Sequence, residues 1–324
     1  MTSSDVQVLE NAIKWSEQHT FWLCTVVSTF GSSPRPPGSM MVVRRDGQYR
    51  GSLSGGCIEE SFVEKVSTDC FTQDSQIVCY GQGGYFPDRE LPCGGSVHIL
   101  VERLRPSVAT YHYVVALYRA ATQSLPVIKT IVVPQSCQSV LKTEDVRNER
   151  VKVEGDRISV TIAPPLTVFI AGLSTVATFC ANFAISLGFR TLVCEHREDA
   201  LLNMAEQLDK GVILIKEFPA RYLEREGCSQ ATAILSLTHD PRIDDLTMME
   251  ALTLPAFYIG AMGSERNSLH RKERLVRLCN FSPEQVSRIH APVGLNIGSK
   301  TPSEIALSIM ADIVCRKNGV QDVG

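Results

Sequence analysis

From Leu166 onward the chain keeps to one grammar, a short apolar run followed by a helical stretch. LTVFIAG, RTLVCE, GVILIK, AILSLTHD and AFYIGAMG are the runs; segments of helical periodicity end at Leu187, cover about 197–208 and begin near 243. Strands joined through helices require right-handed crossovers, which make the strands parallel and place helices on both faces of the sheet. A Rossmann-like domain with a mostly parallel sheet is therefore predicted over 165–324. Its last helix is predicted to open at Thr301-Pro302-Ser303-Glu304, an N-cap, a proline at the first position and a capping-box glutamate, and to run to about Lys317, before Gly319.

Ahead of Ala163-Pro164-Pro165 the pattern is different, and the boundary is placed there, giving an N-terminal domain over 1–164. Val6, Leu9, Ile13 and Trp15 predict a helix over 5–18. FWLCTVVSTF (21–30), MMVVRR (40–45), QIVCYG (76–81) and SVHILVERL (96–104) predict strands, with Asp46-Gly47 as a turn. Ile58, Phe62 and Val66 predict a helix, as do residues 107–122, and VKVEGDRISVTI (151–162) predicts a hairpin. The expected class is α/β, a mixed α+β domain followed by the Rossmann-like one. A chain of 324 residues with 44% hydrophobic content can bury two such cores.

Composition excludes several functions. A formal charge of −3 offers no global basic field for nucleic acid or an anionic membrane. No run of 18 apolar residues occurs and MTSSDVQVLE lacks the order of a secretory signal, so a cytoplasmic protein is expected. Eleven cysteines, an odd number without a C-x-x-C pair, argue for reduced thiols rather than a disulfide framework, a zinc ribbon or a redox pair. Most, such as Cys180, Cys194 and Cys315, sit in apolar runs as small hydrophobes.

Four segments carry candidate chemistry. GSSPRPPG (31–38) forbids regular structure and holds Arg35 in a stiff loop, suited to phosphate or carboxylate, or else a solvated surface arginine. GSLSGGCIEE (51–60) leads a glycine turn into a helix, so that outward N–H groups would welcome an anion and the dipole would favour a Cys57 thiolate, against the opposing charges of Glu59 and Glu60. A tight turn with a buried cysteine is the alternative. LPCGGSV (91–97) repeats the cysteine-glycine-glycine pattern, and Cys57 and Cys93 are expected to face one site. Structural zinc is the weaker idea, His98 being the one nearby histidine.

The fourth segment, Gly172-Leu173-Ser174-Thr175-Val176-Ala177, follows the strand LTVFI as a dinucleotide fingerprint does, with Glu195 placed 23 residues on for a ribose. Ser174 replaces the middle glycine, putting a Cβ where a pyrophosphate should approach, which makes NAD(P) a doubtful ligand. THDP (238–241) and GAMGSERN (260–267) are expected at the C-terminal edge of the sheet, with His239, Gly263 and Arg266 as candidate contacts.

Longer stretches carry a resemblance. WLCTVVSTFGSSPRPPGSMMVV (22–43), GSLSGGCIEE (51–60) and PCGGSVHILVE (92–102) resemble the N-terminal signatures of the XdhC/CoxI family; YIGAMGSERN (258–267) and RIHAPVGLNIGSKTPSEIALSIMADI (288–313) resemble its Rossmann domain. The resemblance implies a chaperone rather than an enzyme. It would bind molybdenum cofactor, as molybdopterin or its cytosine dinucleotide form, assist its sulfuration with a cysteine desulfurase and insert it into a xanthine-dehydrogenase-like or aldehyde-oxidase-like molybdoenzyme. A nucleotidyltransferase of cofactor synthesis as source and a homodimeric state belong to the same expectation. The motif positions are Arg35, Gly55, Gly56, Cys57, Cys93, Gly94 and Gly95, with the two cysteines nearest the molybdenum. The family's Gly-Ala-Gly-His is replaced here by Gly172-Leu173-Ser174-Thr175. An NAD(P)-dependent oxidoreductase remains the alternative, and a cysteine-nucleophile enzyme lacks an identifiable histidine base.

Overall fold

The computed structural model describes residues 4–31, 35–81, 84–85, 95–123, 126–143 and 150–320. Two compact units divide the chain, 2–164 and 165–324.

In the first unit, α1 (Ser4–Trp15) precedes β1 (Phe21–Phe30), β2 (Met40–Arg44) and β3 (Tyr49–Gly51). α2 (Glu59–Ser67), β4 (Ser75–Gly81), β5 (Ser96–Leu104) and α3 (Val108–Thr122) follow. An antiparallel sheet of order β3-β2-β1-β5-β4 results. Alternation along β1 explains its layers. Phe21, Leu23 and Val27 enter one core with Leu9 of α1 and Leu117 of α3, while Trp22, Cys24 and Val26 enter another with Phe62 and Val66 of α2. The first core is closed by a second antiparallel sheet, order β7-β6-β9-β8, of β6 (Val127–Val132), β7 (Cys137–Lys142), β8 (Val151–Glu154) and β9 (Arg157–Ile162). β8 and β9 are the expected hairpin; β6 and β7 were not anticipated. A lysine interrupts the apolar rhythm of β6, and that Lys129 is fully buried against Glu102 of β5, whose other oxygen accepts the Tyr113 hydroxyl at 2.7 Å.

The second unit alternates as expected: β10 (Thr167–Ala171), α4 (Thr175–Ser186), β11 (Arg190–Cys194), α5 (Glu198–Met204), β12 (Ile213–Ile215), α6 (Pro219–Glu226), β13 (Thr232–Ser236), α7 (Pro241–Thr253) and β14 (Tyr258–Ala261). α8 (Glu265–Cys279), α9 (Pro283–Ser287), β15 (Ile289–His290) and α10 (Pro302–Lys317) complete it. All six strands pair in parallel, in the order β12-β11-β10-β13-β14-β15. This is the doubly wound Rossmann order, with its switch point between β10 and β13. One face carries α4 and α10 through Cys180, Ala181, Ile309 and Ile313; the other carries α6, α7 and α8 through Leu223, Met248 and Leu275. α10 opens with the capping box of Thr301 and Glu304. α6 escaped the sequence reading because PARYLERE is mostly polar and only Pro219, Ala220 and Leu223 are buried. Among the described residues, no helix is long and apolar enough to cross a membrane.

Candidate functional site

Strand pairing brings the ends of the strands that flank the N-terminal motifs to one end of the five-stranded sheet. Phe30 at the end of β1 faces Ser96 at the start of β5, which also faces Gly81 at the end of β4. Met40, at the start of β2, pairs with Thr25, and Gly51, closing β3, pairs with Met41. Gly31, the loop 52–58 and Gly95 therefore lie at the same end of the sheet. The Arg35 loop touches the loop 52–58 through the Arg35 Nε–H, which donates to the Ser52 carbonyl at 3.2 Å. Gly95 is buried at the entry to β5, whereas Cys93 and Gly94 lie outside the described residues.

The loop before α2 differs from its sequence reading in one decisive respect. Its N–H groups do not point outward to await an anion; Glu59 supplies one from inside. The Glu59 carboxylate is 4% exposed and accepts the N–H groups of Leu53 (2.8 Å), Ser54 (2.9 Å), Gly56 (3.0 Å) and Ile58 (3.2 Å) and the hydroxyls of Ser52 and Ser54, both at 2.7 Å. The N–H groups of Gly55 and Cys57 go to the hydroxyls of Ser52 and Ser54. Burial pushes the Glu59 carboxyl up, but the Ser52 and Ser54 hydroxyls and the backbone N–H groups outweigh it and bring the value to about 2. What remains at the tip is Gly55 and Gly56, at φ +84° and +118°, and the half-buried Cys57 thiol. A side chain at either glycine would be strained in that left-handed region, although space around Gly56 is open.

In the Rossmann unit the turn after β10 is closed upon itself. Gly172, at φ +91°, is in close contact with Thr238: a Cβ there would lie 2.5 Å from its methyl group. Ser174 caps α4 by accepting the Ala177 N–H and donates to the Leu237 carbonyl at 2.9 Å, bridging the switch point between β10 and β13. Glu195, expected to face a ribose, is 1% exposed and committed elsewhere. Its carboxylate accepts the N–H groups of Leu173, His196 and Arg197 and the Arg197 guanidinium at 2.7 and 3.0 Å. Burial raises that carboxyl, and Arg197 with the backbone donors holds it below its ordinary value. The Leu173 N–H, the Ser174 hydroxyl and the Glu195 carboxylate are thus engaged within the fold.

One strand over, a crevice of about 300 Å³ opens between the ends of β13 and β14. His239, exposed at φ +63°, and Gly263 line it. Arg266 does not. The crevice face of α8 is Asn267, His270, Arg271 and Arg274, spaced along one stripe of the helix, and Arg266 is rotated off it and exposed. Arg271 is 4% exposed and donates to Asp245 at 2.9 Å, to Asp244 at 3.3 Å and to the Met262 carbonyl at 3.2 Å.

Comparison with known families decides what kind of chain this is. The model described as "XdhC and CoxI family" matches residues 14–81, and that of the "XdhC Rossmann domain" matches 168–313. The chain belongs to the XdhC/CoxI family. Two curated relatives are alike over most of its length. The molybdenum cofactor insertion chaperone PaoD of Escherichia coli is 26% identical over 90% of this chain and 81% of its own. A Bacillus subtilis protein named as a probable subunit of xanthine dehydrogenase is 25% identical over 92% of this chain and 93% of its own. A crystal structure from Bacillus halodurans titled as a xanthine dehydrogenase has the same fold, with a TM-score of 0.75 at 21% identity, covering 99% of this chain and 98% of that one.

In this family member the residue missed by sequence reasoning is Glu59, counted there only as a charge opposing Cys57. A carboxylate in a first helical turn preceded by Ser-x-Ser-Gly-Gly is a recognisable internal cap, since that turn has spare N–H groups.

Proposed function

We propose that this protein binds molybdenum cofactor as cargo and delivers it to a xanthine-dehydrogenase-like or aldehyde-oxidase-like apoenzyme, acting as a carrier rather than a catalyst. The observation that carries the reading is the half-buried Cys57 thiol at a glycine tip, on a loop held rigid by Glu59 and touched by Arg35. Such a cargo couples a soft, sulfur-ligated metal to a phosphate, and a thiol and a guanidinium on touching loops match its two ends. The chaperone named among its relatives supports the same role. Because Glu59 holds the loop's N–H groups, the phosphate falls to Arg35 rather than to the backbone, while Gly55 and Gly56 let the ligand approach closely. Cys93, Gly94 and Gly95 belong to the same proposed site, with Cys93 as the second soft ligand. His239 and Gly263 are proposed contacts of the Rossmann crevice.

Sulfuration with a cysteine desulfurase, a cytosine dinucleotide form of the cargo, a nucleotidyltransferase donor, a homodimer and a cytoplasmic location complete the proposal. Purified protein, oxidised and denatured, should release a fluorescent pterin, and the loaded protein should activate a xanthine-dehydrogenase-type apoenzyme. No pterin after co-expression with a full cofactor pathway, together with no activation, would end the carrier reading.

A further inference from the structure

The edge of the Rossmann sheet holds a cluster of ionisable groups that the cargo reading leaves unused. The His290 ring of β15 lies flat on Tyr258 of β14, with centres 4.4 Å apart and planes 13° from parallel. Tyr258 donates its hydroxyl to Asp312 Oδ2 at 2.5 Å and accepts the Gly294 N–H. Asp312 of α10 is 3.9 Å from His290 Nδ1, beyond hydrogen-bond reach, and Arg316, one turn on, has its Nε 3.7 Å from Asp312 Oδ1. His290, Asp312 and Arg316, with Lys272 of α8, Ser287 and Asn296, line a cavity of about 410 Å³.

Charge decides what such a cavity takes. Lys272 and Arg316 oppose one carboxylate, and an oxygen of that carboxylate is already committed to Tyr258. Burial makes the His290 imidazole harder to protonate; Asp312 opposes this, and Arg316 and Lys272 add to it. Two cations and a neutral imidazole around one polar cavity leave a local excess of positive charge, which an anion would relieve. A planar arginine fork and a lysine suit phosphate oxygens, and an imidazole can donate to a third. We propose that the cavity between β15, α8 and α10 is an anion site that takes the phosphate group of a ligand between Lys272, Arg316 and His290. Tyr258, its hydroxyl held by Asp312, positions the imidazole from behind. The site is independent of the cargo reading, since it uses none of the residues at the Cys57 loop.

Protonation gives the test its signature. An anion beside His290 raises the pKa of the bound ring above that of the free one. The ring therefore takes up a proton on binding and, at a fixed charge on the phosphate, affinity falls as pH rises, by up to about tenfold per unit between the two values. Inorganic pyrophosphate and cytidine monophosphate would be titrated into the full-length protein by calorimetry at several pH values. Both should bind with proton uptake, cytidine monophosphate more tightly if the natural ligand is a nucleotide and equally if the phosphate alone is read. His290→Gln should leave only the pH dependence that comes from the ligand's own phosphate, whose second ionisation lies at about pH 6, and Lys272→Gln and Arg316→Gln should each weaken binding about tenfold, the scale of one charged hydrogen bond. Lys272 is only half-buried on α8, so its variant tests the site even if His290→Gln fails to fold. Absence of binding, binding of the nucleotide without pyrophosphate, or affinities unchanged in both cation variants would overturn the assignment.

Discussion

Glu59 shows how one side chain can set the character of a site while touching no ligand. Removing it by Glu59→Ala would strand four backbone N–H groups and two hydroxyls in a mostly buried loop, and an unsatisfied buried donor costs about 1–3 kcal/mol. The loop would relax to recover some of them, so a loss of about 3 kcal/mol in urea unfolding is expected. Its pH dependence follows from the depressed carboxyl. A group held at about 2 in the folded state, against an ordinary value of 4.5, contributes stability fully above the ordinary value and loses it as pH falls toward 2. The wild type should therefore lose about 3 kcal/mol more than Glu59→Gln between pH 5 and 2; parallel pH profiles for the two proteins would count against it. The neighbouring thiol behaves oppositely. Cys57 is half-buried, so Cys57→Ser should leave the melting temperature nearly unchanged but lower cofactor retention, whereas Cys180→Ala, in the sheet core, should cost about 1 kcal/mol with retention intact. Cys315, read from its apolar run as a core thiol, is only partly buried and belongs with Cys57 in being cheap to replace.

The turn from β10 to α4 is the element where a familiar pattern has been put to another use. Its serine does more than crowd a pyrophosphate, because Ser174 caps the helix and ties β10 to the end of β13 through Leu237. Ser174→Gly restores the middle glycine of a dinucleotide fingerprint, but Thr238 still packs on Gly172 and Glu195 still holds the Leu173 N–H. The variant should lose about 1 kcal/mol with the hydrogen bond and gain no affinity for NADH tighter than about 1 mM, near −4 kcal/mol. Unfolding curves and a fluorescence titration of NADH check both halves, and micromolar binding would mean that the turn opens more readily than its contacts imply. Elements with strong local signals were legible from the residues: β1 and α10 start where the aromatic run and the capping box place them. Those whose stability comes from distant partners were not. β6 carries a buried lysine that only Glu102 of another sheet makes tolerable, and α6 has a mostly polar surface with one narrow buried stripe.

At the scale of the molecule, the change from antiparallel strands to alternating strands and helices was readable because side-chain period and turn chemistry are local properties. Site geometry was less so, since it depends on register. The contact of the Arg35 and Cys57 loops follows from Thr25 facing Met40 and Gly51 facing Met41, a register that the apolar pattern alone does not specify. That contact gives the carrier reading its test at the level of the whole protein. A carrier must hold its cargo firmly enough to shield it and still yield it to an apoenzyme that binds it more tightly, so transfer is driven by an ordering of affinities and not by a chemical step. Arg35→Ala should then weaken cargo retention by at most about 3 kcal/mol, the upper scale of a charged hydrogen bond, because Cys57 and the glycine tip remain. Loaded carrier would be mixed with apoenzyme and the active enzyme molecules formed per carrier counted. The wild type should approach one active centre per loaded carrier and no more; the arginine variant should give fewer, with each activated enzyme turning over at the wild-type rate. Many active centres per carrier without added cofactor, or altered turnover of the enzyme once loaded, would mean that the protein does chemistry that a carrier does not.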